Sequence, residues 1–174
     1  GGTFEKHIPE LQQHYHLMMM KGVSYQDEHK HAASALAAIL GGGDGSRLHW
    51  ALIDTGLAEA AATSIDTNDG YGEQLAYAVC NPSSAEQVAD ILRTEMANVA
   101  SSITEEDLLK VLAKAATGAA VSSERPAGRM QRLGSMLTTS GEYVSLEDEL
   151  ATIQSLKIQD LQEVAELYPW DPLF

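Results

Sequence analysis

The sequence is short of several residue types, and each shortage excludes a class of structure or function. Its single cysteine, Cys80, cannot form a disulfide within the chain. Only 11 lysines and arginines stand against 25 aspartates and glutamates, which gives a formal net charge of -14. Because binding to a nucleic-acid backbone needs clustered positive charge, we expect no nucleic-acid partner. Such an acidic surface either favours basic peptides or serves only solubility.

Long apolar runs are also missing. A membrane-spanning helix needs about 20 consecutive apolar residues, so we expect no membrane partner. No signal peptide is visible, and the opening Gly1-Gly2 resembles the start of an excised piece of a longer protein, so no compartment is predicted. At 174 residues the chain suits one domain. We assign residues 1–10 to a leader or remnant, 11–168 to the domain, and 169–174 to a tail that is either packed or loose.

Helix and strand patterns alternate along the chain. The apolar run at residues 14–21 predicts a buried strand, and residues 60–67 and 73–79 predict two strands joined by an Asn-Asp-Gly turn. Apolar residues at helical spacing predict one core, which contains Leu36, Ile39, Leu40, Leu48, Leu57, Val88, Ile91, Leu108 and Leu112. Thr104 is the predicted cap of a helix whose buried face is Leu108, Leu109, Val111, Leu112 and Ala115.

Two stretches invite a ligand-binding interpretation. The glycine-rich run from Gly41 to Arg47 lacks the Gly-Lys-Ser/Thr of a phosphate-binding loop and follows a helix, so a joint between helices explains it better. His14 and His16 share one face of a strand, which suits either a plain strand or a metal site, but no third ligand is evident nearby.

An ordered set of motifs points to a family. The set begins with Leu40-Gly41-Gly42-Gly43, Ser46-Arg47-Leu48 and Gly56-Leu57-Ala58, and continues with Asp69-Gly70-Tyr71-Gly72 and Ile103-Thr104-Glu105-Glu106-Asp107-Leu108. In order and spacing it resembles the C-terminal half-domain of the insulinase-like (pitrilysin) zinc metallopeptidases, which include the mitochondrial processing peptidase. The likeness covers roughly residues 11–168. It implies an α/β (α+β) fold of two layers, an antiparallel sheet with helices packed on one face.

The resemblance also implies where the chemistry lies. Catalytic members carry an inverted H-x-x-E-H zinc motif, and the six histidines here offer neither that pentad nor H-E-x-x-H. We therefore expect no catalytic residue, metal or cofactor in this chain, and zinc in the N-terminal half of the parent. The implied partners are that zinc-bearing half-domain or a paired subunit, a homodimer included, and a peptide substrate.

The family's C-terminal half normally adds an Arg and a Tyr that bind substrate near the scissile bond. Counting from Ser46-Arg47-Leu48 puts the Arg position at Ile53, whereas counting back from Gly56-Leu57-Ala58 puts it at Leu52, because the linker is one residue short. The Tyr position is Glu59. These residues either face the peptide chamber or, if the shortening rotates the helix, turn Ile53 into the core and Glu59 to solvent. Arg47 is expected to form a structural ion pair.

Two functions follow from the resemblance. The first is a non-catalytic half that forms one wall of the substrate chamber of a zinc metallopeptidase acting in peptide hydrolysis. The second is a scaffold or assembly subunit that keeps the fold without proteolysis, which the missing Arg and Tyr favour. No motif supports an independent enzyme acting on small molecules.

Overall fold

A computed structural model describes residues 2–172; Gly1, Leu173 and Phe174, at the ends of the predicted leader and tail, lie outside the described residues. Within this range the strands are β1 (His14–Gly22), β2 (Ala58–Thr67) and β3 (Gly72–Cys80). The α-helices are α1 (Lys30–Gly41), α2 (Ala85–Asn98), α3 (Glu105–Glu124), α4 (Pro126–Thr139), α5 (Leu146–Gln154) and α6 (Ile158–Leu167). A π-helix (His49–Ile53) lies between α1 and β2.

The three strands form one antiparallel sheet in the order β1–β3–β2. The predicted hairpin is present, because the turn between β2 and β3 contains Gly70 at a φ of +76°, a conformation that glycine adopts without strain. Buried and exposed residues alternate along β1 and β3, as expected when helices cover only one face. The predicted two-layer fold, with helices on one face of an antiparallel sheet, is confirmed.

Helix α1 lies very close to β2, and its small side chains are the reason. The Thr63 hydroxyl donates a hydrogen bond of 2.6 Å to the Ala37 carbonyl oxygen. A Cβ atom added to Gly41 would lie 2.7 Å from the Thr63 backbone nitrogen. The alanines that fill this helix leave room for such an approach, and alanine is also the best helix former. This contact fixes the position of the chain just before the π-helix.

The predicted core is largely confirmed. Leu36, Ile39, Leu40, Leu48, Val88 and Leu108 are all buried in one cluster. Leu57, Ile91 and Leu112 are only partly buried and pack against the same cluster. The tail reaches this core as well, because Trp170 belongs to the buried cluster.

Two predictions about burial are wrong. Leu109 is 65% exposed, because α3 packs at the margin of the helical layer and buries one narrow side. Strand β1 is an edge strand rather than a buried one, and its residues Tyr15, Leu17 and Met19 are exposed. Among the described residues no helix has both the length and the apolar character that crossing a membrane requires.

Candidate functional site

The π-helix positions the residues at the predicted Arg position. Ser46 accepts a hydrogen bond from the His49 amide at 3.3 Å, and the Asp54 amide donates to the His49 carbonyl oxygen at 2.9 Å, which makes a wide turn. Leu52 is fully buried in the core, whereas Ile53 is partly buried against it. Leu52 therefore offers no surface to a peptide in this chain. Any substrate-binding role at the Arg position rests on Ile53 and stays a prediction.

Glu59, at the predicted Tyr position, is exposed near the start of β2. The pairing of β2 with β3 shifts by one residue between Ala58 and Ala60, so Glu59 lies at an irregularity of the strand. Its carboxylate accepts a hydrogen bond from the Gln13 side-chain amide, and the Tyr15 hydroxyl donates to Gln13 Oε1 at 3.0 Å. Because Gln13 precedes β1, this chain of contacts bridges the two edge strands across the end of β3.

Gln13 and Tyr15 are members of this site that the sequence did not predict. They lie 46 and 44 positions before Glu59, and no motif links them to it. The only available signal was the sequence of β1, which has apolar residues on both faces of the strand. This pattern is typical of a strand whose two faces are both buried, so it does not show which face is exposed.

The sheet face that carries this end is open and apolar. Tyr15, Leu17 and Met19 of β1 are 56%, 67% and 56% exposed. Tyr77 of β3 is directly opposite Leu17 and is also exposed. We call these four residues the open sheet face. Glu59 and Gln13 lie at one end of it, beside Tyr15.

The histidines do not form a zinc site. The rings of His14 and His16 are 4.4 Å apart, and His16 Nε2 donates to the Ala85 carbonyl oxygen at 2.9 Å. Burial and the neighbouring His14 lower the pKa of His16. Within residues 2–172 no three His, Cys, Asp or Glu side chains come close enough to hold a metal ion. The residues present therefore do not fit the catalytic zinc of the family.

The glycine-rich run is a structural joint, as predicted. Arg47 forms the expected ion pair, with its guanidinium 2.7 Å from Asp107 Oδ2 and 2.7 Å from the Ser102 carbonyl oxygen. Thr104 caps α3 and shares this carboxylate: the Thr104 amide donates to Asp107 Oδ2 at 3.0 Å, and the Asp107 amide donates to the Thr104 hydroxyl at 3.2 Å. The Arg47 ion pair therefore ties the run after α1 to this capping box at the start of α3.

The Asp107 carboxylate makes stability depend on pH. Burial alone would raise the pKa of Asp107, but hydrogen bonds from Thr104 and the charge of Arg47 outweigh it and hold the pKa below its usual value. A lowered pKa stabilises the folded state above the unfolded pKa, and this stabilisation disappears as pH falls through the folded pKa. The affected range lies below about pH 4, the ordinary value for aspartate.

We expect Asp107→Asn to lower the free energy of unfolding by about 1 kcal/mol at pH 7, because a charge-assisted cap and ion pair are lost from a partly exposed site. Urea titrations at a series of pH values measure the difference from wild type, which should shrink as pH falls below about 4. Glu106→Gln, on an exposed residue of the same helical turn, is the control. A difference that is constant across this range contradicts the assignment.

Comparisons with known proteins identify the family. Residues 1–114 match the family model described as "Peptidase M16 inactive domain". The chain belongs to the peptidase M16 family. An uncharacterized zinc protease of Mycobacterium tuberculosis (strain H37Rv) is 31% identical over 144 residues, which are 79% of this chain and 32% of that protein. This M16 domain thus spans about a third of the length of that relative.

Solved structures share the fold of this M16 domain. The M16 inactive domain from Pseudomonas fluorescens has a TM-score of 0.82 at 19% identity and covers 91% of this chain and 38% of that one. A chain of complex III2 from Candida albicans has a TM-score of 0.81 at 15% identity and covers 91% of this chain and 40% of that one. At these identities the likeness concerns the fold alone.

Proposed function

We propose that this M16 domain forms one wall of a peptide chamber in a zinc metallopeptidase whose catalytic zinc lies in another half-domain. The observation that carries the proposal is the open sheet face, whose four large apolar side chains are exposed in a chain that matches about a third of its relative. Exposed apolar patches of this kind mark interaction surfaces. In the parent the zinc-bearing half would pack against part of this face and leave its Glu59 end open to the chamber. That half would lie on the same polypeptide or in a second subunit, a second copy included.

The Glu59 end of the open sheet face is where we place the peptide. The Gln13 side-chain amide donates a hydrogen bond to the Glu59 carboxylate, so this N–H is already used. The carboxylate oxygens can still accept further hydrogen bonds from a ligand. An acceptor here cannot polarise a peptide carbonyl as an Arg or Tyr donor would, but it can receive a peptide N–H or a basic side chain. Ile53 would supply apolar contact beside it.

The parent protein tests this placement. Restoring a donor pair with Ile53→Arg and Glu59→Tyr should lower the KM for peptide hydrolysis severalfold in the full-length parent. Leu109→Arg, at an exposed position on the helical side, is the control for an added arginine and should leave KM within about twofold. An unchanged KM in the double variant, with a loss of stability from burying Arg, would place Ile53 in the core and reject the chamber position.

The surface itself is tested separately. With the zinc-bearing half supplied as its own chain, Leu17→Glu should weaken association at least tenfold, because it places a charge in the middle of the open sheet face. Leu109→Glu, at an equally exposed position on the helical side, should leave association unchanged. Equal affinities of the two variants would reject the open sheet face as the interface.

For this chain alone we expect neither catalytic zinc binding nor peptide cleavage. The reason is the missing pentad and the lack of a three-ligand cluster in the described part of the chain. Calorimetric titration with zinc and a chelator-controlled peptidase assay measure both properties. Stoichiometric zinc binding at sub-micromolar affinity, or cleavage that a chelator stops, would contradict this expectation.

The second candidate is a scaffold subunit without proteolysis. It is favoured by the residues at the Arg and Tyr positions, where Leu52 or Ile53 and Glu59 provide no hydrogen-bond donor. A chain with this fold occurs in complex III2 from Candida albicans. The preceding residues of the parent separate the candidates: an H-x-x-E-H motif there, with measurable hydrolysis, supports the peptidase, and its absence supports the scaffold.

A further inference from the structure

The first half of β1 carries two histidines on the covered side of the sheet. His14 and His16 alternate with the exposed Tyr15 and Leu17, so both rings lie on the side of the helical layer. The ring centroids are 4.4 Å apart, and His16 Nε2 donates a hydrogen bond of 2.9 Å to the Ala85 carbonyl oxygen, at the start of α2. We call these two residues the histidine pair. It attaches the beginning of β1 to α2.

The groups around His16 disfavour a positive charge on its ring. Burial has the largest effect, and the neighbouring His14 and then Arg93 of α2 act in the same direction. Together they lower the pKa of His16, although its bond to the Ala85 carbonyl oxygen favours the charged form. Two charged rings at this separation would also repel each other. The pair therefore packs best when both rings are uncharged.

The elements packed against the pair supply no free negative charge to offset this. Within residues 2–172 no carboxylate lies within ion-pair distance of either ring. On α2, Asp90 is already 3.0 Å from Arg93, and Glu86 is exposed. On β3, Cys80 is opposite His14, and burial raises the pKa of its thiol, so this group stays uncharged. Protonated rings would therefore be more stable in water than at this position.

Strand β1 can respond to such a charge because it is an edge strand. It is hydrogen-bonded to β3 on one side only, and His14 is its first residue, so opening this end breaks few hydrogen bonds. The same segment carries Gln13 and Tyr15, which form the contacts with Glu59. A movement of the histidine pair away from α2 therefore also separates Gln13 from Glu59.

We propose that the histidine pair makes the Glu59 end of the sheet sensitive to pH. At neutral pH the uncharged rings keep the beginning of β1 against α2. In mild acid, protonation of the rings releases this segment and breaks the contact between Gln13 and Glu59. The release requires only this chain, whereas its consequence, a Glu59 carboxylate freed for a peptide, rests on the proposed function.

The direction of the pH effect follows from the number of protons that each state binds. In the released segment His16 is in water and has its ordinary pKa of 6.5, which is higher than its pKa in the attached segment. The released state therefore binds more protons, and its population rises as pH falls below about 6.5. For one histidine the rise between pH 7.5 and pH 5.5 is at most about tenfold.

Amide hydrogen exchange followed by NMR tests the proposal on the isolated chain. Protection factors are corrected for the intrinsic exchange rate at each pH. Between pH 7.5 and pH 5.5 we expect protection at residues 14–17 to fall about five- to tenfold, whereas the amides that join β2 to β3 should change less than about twofold. Equal changes in the two groups of amides, or no change at residues 14–17, overturn the proposal.

Variants assign the effect to the histidine pair. His16→Gln removes the titrating ring and keeps an N–H for the Ala85 carbonyl oxygen, and it should reduce the pH effect to less than about twofold. His14→Gln leaves the bond of His16 intact and should reduce the effect in part. His7→Gln, at an exposed position before β1, is the matched control and should behave as wild type. Circular dichroism at both pH values confirms that each variant is folded.

Three results with these variants overturn the assignment. A wild-type pH effect in His16→Gln would mean that another group titrates. A wild-type effect in His14→Gln would mean that the two rings do not act as a pair. An NMR titration in which the rings of His16 and His7 have the same pKa would remove the cause of the release. Because these experiments contain neither a peptide nor the zinc-bearing half, their failure leaves the proposed chamber untouched.

Discussion

Leu40→Ala is expected to lower the free energy of unfolding by about 2–5 kcal/mol, the usual range for a large core side chain cut to alanine. Leu40 is fully buried at the end of α1, where close packing against β2 leaves little freedom to collapse around a cavity. Chemical denaturation followed by circular dichroism measures the change. Leu109→Ala, at a 65% exposed position, is the control and should cost less than about 0.5 kcal/mol. A cost that small for Leu40→Ala would contradict its place in the core.

Gly72→Ala is expected to cost at least about 3 kcal/mol or to abolish cooperative folding, because overpacking against backbone has no easy relief. An added Cβ would lie 1.8 Å from the Val23 carbonyl oxygen, at the start of β3. The same denaturation experiment measures the effect.

Gly118→Ala is the matched control for this prediction. It lies inside α3 with nothing within 4 Å of its added Cβ, and it should stabilise the protein by about 0.5–1 kcal/mol, because glycine is a poor helix former. A Gly72→Ala variant as stable as wild type would mean that the chain passes Val23 differently from the structure described here.

Local chemistry made most of the fold predictable. The Asp-Gly turn fixes the hairpin, and Thr104 starts α3 with its capping box. These signals are contained within a few residues of the sequence. Leu109 was mispredicted because an apolar residue at helical spacing does not reveal how wide a strip of the helix its neighbours cover.

The candidate site was less predictable, for two physical reasons. The contact between Gln13 and Glu59 joins residues 46 positions apart, and a single polar pair leaves no periodic signal. The π-helix widens its turn, so the faces of Leu52 and Ile53 cannot be counted from an ordinary helix of about 3.6 residues per turn. The motifs on both sides mark the ends of this segment, but they could not orient its side chains.

The open sheet face also governs how the isolated domain behaves in concentrated solution. At neutral pH the strong negative charge makes copies of the chain repel one another, which keeps these apolar surfaces apart. Near the isoelectric point, about 4.6, that repulsion vanishes, and high salt screens it at any pH. Under these conditions no charge repulsion keeps β1 of one copy from β1 of another. Because β1 is a long edge strand with exposed Tyr15, Leu17 and Met19, the two strands can pair edge to edge and the protein precipitates. Purification and storage are therefore best done well above that pH and at modest ionic strength.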